Sequence, residues 1–249
     1  MKVPQRAGGP GMTGGDESGA GGGGPALALV RLLQLASPAL PIGAFSYSQG
    51  LERVVEDGVV HDAASAEAWI GDLLDLVLAS GEAAIAWRLL RAAAAGDAAS
   101  LAHWNEWFLA SRESAELRAE TLQMGGSLAK LCGDLGLVDP FARGALATLQ
   151  PVTLPAAWAL AARGLGVDCG AAHLAYLWSW LENQVMAAIK SVPLGQLAGQ
   201  RLLLALGARI PAAARRARAV ADEDIASFAP GFAMASARHE TQYTRLFRS

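Results

Sequence analysis

Cysteine is nearly absent from this 249-residue sequence. Only Cys132 and Cys169 occur, far apart and without a paired spacing, so neither a zinc site nor a thioredoxin-like redox motif is indicated, and two free, buried thiols are expected. Charge is also scarce: 17% of residues are charged, 20 basic against 23 acidic, for a net −3. That balance gives no global attraction to nucleic acid or to an anionic membrane. Alternating runs of Val, Ile and Thr long enough for strands are missing. No apolar stretch approaches the ~18 residues a membrane span needs, and even residues 174–189 contain Glu182, Asn183 and Gln184. The start, Met1-Lys-Val-Pro-Gln-Arg6, runs into Gly and Pro rather than an apolar core, so no secretory signal is read and a cytoplasmic protein follows by elimination.

What is present is hydrophobic, at 53% of residues, and rich in Ala and Leu. A chain of this length buries roughly 70–75% of its extended surface, and one domain is the default expectation. With so little charge to cover the outside, exposed apolar area follows, which marks a protein that works in complexes. Residues 1–25 form a glycine-rich leader that loses much backbone entropy on ordering and has few side chains to recover it, so disorder is expected there. No strand precedes these glycines and no Lys-Ser or Lys-Thr pair follows, so they do not make a phosphate loop.

Residues 26–235 read as one all-α bundle of about ten helices. The spacing Leu117, Thr121, Met124, Leu128, Leu131, Leu135 predicts a helix from about Ser114 to Leu135 with one apolar stripe. Trp69, Leu73, Leu76 and Val77 make a second stripe, and Leu174, Leu177, Leu181, Val185 and Ile189 a third. Breaks are expected at Gly81, Gly96, Gly136 with Pro140, Pro151 with Pro155, Gly164 with Gly166, Pro193, Gly207 with Pro211, and Pro230-Gly231. Ser46 and Gln49 have capping-box spacing, so Ser46 is expected to cap a helix running toward Glu56. Pro193 is expected to start another, with Gly195 and Gly199 on one face and Gln196 and Gln200 on the adjoining one. The seven tryptophans are expected mostly in the core or between helices. Arg209, Arg215, Arg216 and Arg218 precede Asp222-Glu-Asp224, and local pairing accounts for them.

Residues 236–249 form a tail of another character. Tyr243, Leu246 and Phe247 sit among Arg238, Arg245 and Arg248, where an ordinary terminus is polar and frayed, so the tail is read as a docking element. Of the four histidines, His61, His103 and His173 have no ligand spacing. His239, beside Glu240 and read as exposed, is the one candidate for holding nickel, through a two-fold dimer interface in which each subunit supplies one imidazole. A helical hydrolase using Ser46 or Ser48 with a distant histidine is the enzyme alternative, although no Gly-x-Ser-x-Gly elbow is present. An all-helical scaffold of some other oligomer is the second.

The segments Leu40-Pro-Ile-Gly-Ala-Phe-Ser-Tyr-Ser-Gln-Gly-Leu-Glu52, Leu117-Arg-Ala-Glu-Thr-Leu-Gln-Met-Gly125, Pro193-Leu-Gly-Gln-Leu-Ala-Gly-Gln200 and Ser236 to Ser249 together resemble the urease accessory protein UreF family. The resemblance covers about residues 27–249, with four motifs in the family's order. It implies a cytoplasmic, all-helical chaperone without catalytic residues or cofactor. It further implies a homodimer that bridges UreD, also called UreH, and the GTPase UreG to deliver nickel to apo-urease. Carried over residue by residue, partner binding falls on Arg238, His239, Tyr243, Arg245, Leu246 and Phe247 of the tail, and on Gln196 and Gln200 of the third motif.

Overall fold

A computed structural model describes residues 24–226 and 229–249. The predicted leader therefore lies, except for Gly24 and Pro25, outside the described residues. Those two already belong to the first helix, Gly24 as its cap and Pro25 as its first residue.

Helix starts are set by short side chains that accept from otherwise unpaired backbone N–H groups, or by prolines that have none to leave unpaired. Asp62 and Ser65 form a reciprocal capping box. Asp97, Ser114, Asp139 and Asp168 cap four more helices. The resulting α-helices are α1 (Pro25–Leu35), α2 (Leu51–Glu56), α3 (Ala63–Asp72), α4 (Ala83–Ala95), α5 (Ala98–Ala110), α6 (Ala115–Asp134), α7 (Pro140–Thr148), α8 (Leu154–Leu165), α9 (Cys169–Ser191), α10 (Gln196–Gly207), α11 (Ile210–Ala219) and α12 (Pro230–His239). No strand occurs among the described residues. None of these helices is long and apolar enough to cross a membrane.

The core is organised around α8, whose residues Pro155 to Ala162 are all buried, and which packs on α1, α4, α5, α6 and α9. Small residues bring the backbones together. A Cβ on Gly125 of α6 would lie 2.5 Å from the Val152 carbonyl oxygen and the Thr153 carbonyl carbon, so α6 approaches the start of α8 only because that side chain is missing. Asn105 of α5 holds the same stretch, donating to the Pro151 carbonyl and accepting from the Thr153 N–H and hydroxyl. The 23-residue α9 runs past α10, α4, α11 and α2, with Leu177, Leu181 and Val185 fully buried.

Several expectations differ from what the chain does. Gly81 does not break a helix: it is buried within a segment of wide π turns, Leu73–Glu82, that joins α3 to α4 without interruption. That segment shifts the helical phase, which is why Leu76 of the second stripe is exposed while Leu73 and Val77 are buried. Ser46 ends a single 3₁₀ turn, Ala44–Ser46, and caps nothing further. The next helix starts only at Leu51, after Gln49 and Gly50 have adopted left-handed backbone at φ 54 and 77. Pro193 precedes α10 by three residues. Gly195 is its cap rather than part of its face, and only Gly199 is used for close approach, against Ile189.

The arginines before residue 222 do not pair locally. Arg209 and Arg216 both reach Asp75 on the π segment, and Asp222 pairs with Arg88 of α4. Cys132 is buried and Cys169 half-buried, both free, and burial pushes the Cys132 thiol up to about 11.

Candidate functional site

The tail is held against α2, α6 and the 44–50 loop by carboxylates and backbone groups. α12 enters first, burying Phe232, Ala235, Ser236 and His239. Its approach depends on Gly50, where a Cβ would stand 3.1 Å from the Ser236 nitrogen on a backbone already at φ 77. Ser236 and Ser114 share a hydrogen bond of 2.6 Å, and Glu240 accepts from the Ala115 N–H at 2.7 Å, so the tail helps to cap α6.

From His239 onward three glutamates do the holding. Glu52, near the start of α2, accepts from the Leu246 N–H at 2.6 Å and the Phe247 N–H at 3.0 Å, and its Oε2 also lies 3.2 Å from Nε2 of His239. Glu116 on α6 faces Nδ1 of His239 at 2.6 Å and accepts from Arg245 at 2.6 Å. One turn further along α6, Glu120 accepts from the Ser249 hydroxyl at 2.7 Å and the Gln49 amide at 2.8 Å. Hydrogen bonds to a carboxylate are the stronger kind, so three such acceptors fix the path of the tail without a helix.

The 44–50 loop completes the seat. The Arg248 N–H donates to the Ser46 carbonyl at 2.8 Å, while the Ser48 N–H and hydroxyl both donate to the Ser249 carbonyl oxygen. Tyr47 donates to Gln123, which also accepts from Arg248, and Asn183 of α9 donates to the Tyr47 carbonyl. The Gln49 side chain is used at both ends, giving its N–H to Glu120 and accepting the Trp180 indole N–H at 2.7 Å. Gln49 carries an unusual backbone for a side chain with this much to bind.

Burial sets the electrostatics. Glu120 is wholly enclosed, and desolvation raises its carboxyl from 4.5 to about 7 against the lowering effect of Ser249 and Gln49. Burial, with Glu120 nearby, also raises the Tyr47 hydroxyl.

The six tail residues singled out from sequence divide into two groups. Arg238, Tyr243, Arg245 and Leu246 present side chains to solvent, Tyr243 completely and Leu246 at 64%. His239 and Phe247 turn inward, at 0% and 6% exposure, and Lys190 stands over the Phe247 ring. The reading of His239 as an exposed metal candidate is therefore corrected: each ring nitrogen faces a carboxylate, and no imidazole edge is left for a two-fold neighbour. Among the described residues no group of three or more His, Cys, Asp or Glu is arranged to hold a metal ion. Gln196 and Gln200 are exposed on α10, away from the tail contacts. The polar residues near them in sequence go separate ways: Lys190 to Phe247, Asn183 to Tyr47, Arg201 to solvent. Ser48 is buried and committed to Ser249, with no histidine bonded to it.

The residues that sequence reasoning passed over are the acceptors Glu52, Glu116 and Glu120, with Gln49 and Ser48. A trace of them is present in the sequence: Glu116 and Glu120 are four apart beside the Leu117–Thr121–Met124 stripe, where a solvated pair has no place.

Comparison with known proteins places the chain in a family. The model of the UreF family matches residues 60–207. A urease accessory protein UreF of Azoarcus sp. (strain BH72) is 56% identical over 228 residues, covering 90% of this chain and 96% of its own length. One from Janthinobacterium sp. (strain Marseille) is 52% identical over 224 residues, covering 90% and 99%. A bifunctional urease accessory protein UreEF of Bordetella bronchiseptica is 54% identical over 224 residues, 89% of this chain and 52% of that longer protein. With a family model over more than half its length and relatives this similar over about nine-tenths of it, the chain belongs to the UreF family, the non-catalytic chaperones of urease maturation.

Proposed function

We propose that this protein works in the cytoplasm as a homodimeric adaptor, bridging UreD and the GTPase UreG while nickel is inserted into apo-urease. The observation that carries the proposal is the tail: an irregular segment fixed by three glutamates, yet holding Tyr243 and Leu246 fully or largely in solvent. Holding Tyr243 and Leu246 outside an ordered segment adds no apolar burial to the monomer; it suits a surface that a partner covers. Arg238 and Arg245 rim this surface, and UreD is assigned to it. His239 and Phe247 act as anchors beneath rather than as contacts. Gln196 and Gln200, beside exposed Leu197 and Leu204 on α10, form the second partner-facing strip. That a relative carries a second accessory activity in the same polypeptide fits a protein that acts within an assembly.

The dimer is assigned to the face where α1 meets α9 and α11. Leu29, Val30 and Leu33 are exposed there, beside an apolar recess of about 450 Å³ that includes Leu174, Trp178 and Pro211. Light scattering of Leu33→Asp should show a monomer where the parent is a dimer.

The test of the tail surface is the paired substitution Tyr243→Ala with Leu246→Ala, rather than deletion, which would also uncover Glu116 and Glu120. Co-purification with UreD should be lost while the helical circular dichroism is unchanged. Undiminished capture of UreD would overturn the assignment.

A further inference from the structure

A second built surface lies on elements that share no residue with the tail seat. Between α4, the start of α5 and the end of α11 is an open recess of about 420 Å³, walled by Trp87, Arg88, Arg91, Trp104, Arg218 and Asp222. Each of its three guanidinium groups lies over an indole: Arg88 at 5.1 Å from the Trp104 centroid, Arg218 at 4.6 Å and Arg91 at 5.8 Å from that of Trp87. Stacking of this kind fixes the plane of a guanidinium while leaving its N–H edge free to donate.

The three differ in what remains to them. Arg88 is engaged at all three of its nitrogens, donating to Asp222, to the Ala84 carbonyl and to the Val220 carbonyl. Arg218 is set in place from below: its Nε donates to Nδ1 of the fully buried His173, and Nη2 donates to the Gly170 carbonyl. His173 is suited to accept, because burial drives its imidazole down to about 4 and its other nitrogen can donate to the Ala83 carbonyl at 2.8 Å. Arg91, exposed at the mouth, makes no hydrogen bond or ion pair among the described residues. The recess thus holds one uncommitted, pre-oriented guanidinium fork, a second cation beside it and the part-exposed Trp87, with Trp104 buried behind Arg88.

The carboxylates at the rim narrow what fits. Asp222 is paired with Arg88, and Asp97 is occupied by the Ser100 N–H and hydroxyl, and both carboxylates stand at the edges of the recess. A polyphosphate entering there would meet both. A single carboxylate attached to an apolar or aromatic neighbour would not: the acid reaches Arg91 in bidentate fashion, and the neighbour lies against part-exposed Trp87, Trp104 being buried beneath Arg88.

We infer that this recess is a docking site for a segment of a partner protein that carries one carboxylate beside an apolar side chain, read by the Arg91 fork and Trp87. It stands apart from the tail surface and does not depend on the assignment of UreD to that surface.

The test uses the full chain and a short fluorescein-labelled peptide with one glutamate between phenylalanines in an otherwise uncharged sequence, with its glutamine counterpart as control. Fluorescence anisotropy should show binding of the acidic peptide that weakens about tenfold in Arg91→Gln, the loss of one charge-assisted fork. Binding should hold within about twofold in Arg215→Gln, an exposed arginine of α11 outside the recess. Arg91→Lys should recover part of the affinity, and the indole N–H resonance of Trp87, assigned from Trp87→Phe, should shift on titration. Equal binding by the parent and Arg91→Gln, equal binding of the glutamine peptide, or displacement by equimolar inorganic phosphate would each overturn the proposal.

Discussion

The seat of α8 and the seat of the tail both bring chain against chain at van der Waals distance, and they do so by opposite means. α8 is buried from Pro155 to Ala162 and lies against α6 through Gly125, where the α6 backbone meets the Val152–Leu154 backbone directly. The tail lies against the same helix α6 a few residues earlier, but there Glu116 and Glu120 hold it through hydrogen bonds to side chains, with Glu52 of α2 gripping its backbone. Apolar contact of the first kind is indifferent to pH and salt and fails only when volume changes. A carboxylate clasp of the second kind responds to protonation and can open without unfolding the core.

The comparison is broken most severely by adding volume at the apolar seat. Gly125→Val places carbon atoms where the Val152 and Thr153 backbone already lies, and should lower the unfolding free energy by about 3 kcal/mol or more. The urea midpoint would fall with an unchanged slope; an unshifted midpoint would show that α6 and α8 part easily.

Next in size is the pH dependence attached to Glu120. Its folded value, about 7, lies above the ordinary 4.5, so between these values the unfolded chain gives up its proton while the folded one keeps it. Stability therefore falls as pH rises through that window, by up to about 3 kcal/mol, and is level above it. Urea midpoints across this range should decline in the parent and lose that decline in Glu120→Gln. A slope of the same size in the variant would assign it to another group.

A smaller and more local effect is expected at Glu52. Glu52→Gln weakens the acceptors for the Leu246 and Phe247 N–H groups and removes the charge facing His239, loosening the tail by about 2 kcal/mol. Hydrogen exchange should quicken at those two amides while the protected amides of α8 and α9 stay as they were. Smallest of all is the double change Tyr243→Ala with Leu246→Ala, which removes exposed groups and should move thermal stability by no more than about 0.5 kcal/mol.

Local chemistry made much of this fold legible. Ser114 and the 4-3-4 spacing after it gave α6 its start and extent, and Gly96 and Gly166 stop α4 and α8 in the left-handed conformation that glycine favours. Gly81 misled because a glycine reads as a stop by composition, whereas here it sits inside wide turns that no spacing rule of 3.6 residues describes. The arginines of α11 were paired with their nearest acids in sequence, but Asp75, far along the chain, was closer in space.

The candidate site was half visible for the same reason. A tail with Tyr, Leu, Phe and Arg announces itself in one short segment. Its receptors are Glu52, Glu116 and Glu120, on two helices that only tertiary packing brings together.

The contact between Glu240 and the first turn of α6 has one more consequence. The helix that grips the tail through Glu116 and Glu120 has its own leading N–H at Ala115 satisfied by the tail in return, so each is the other's support. A binding protein that peeled this strap away would also fray the helix beneath it, and a purely superficial encounter would be felt as far in as the enclosed carboxyl of Glu120.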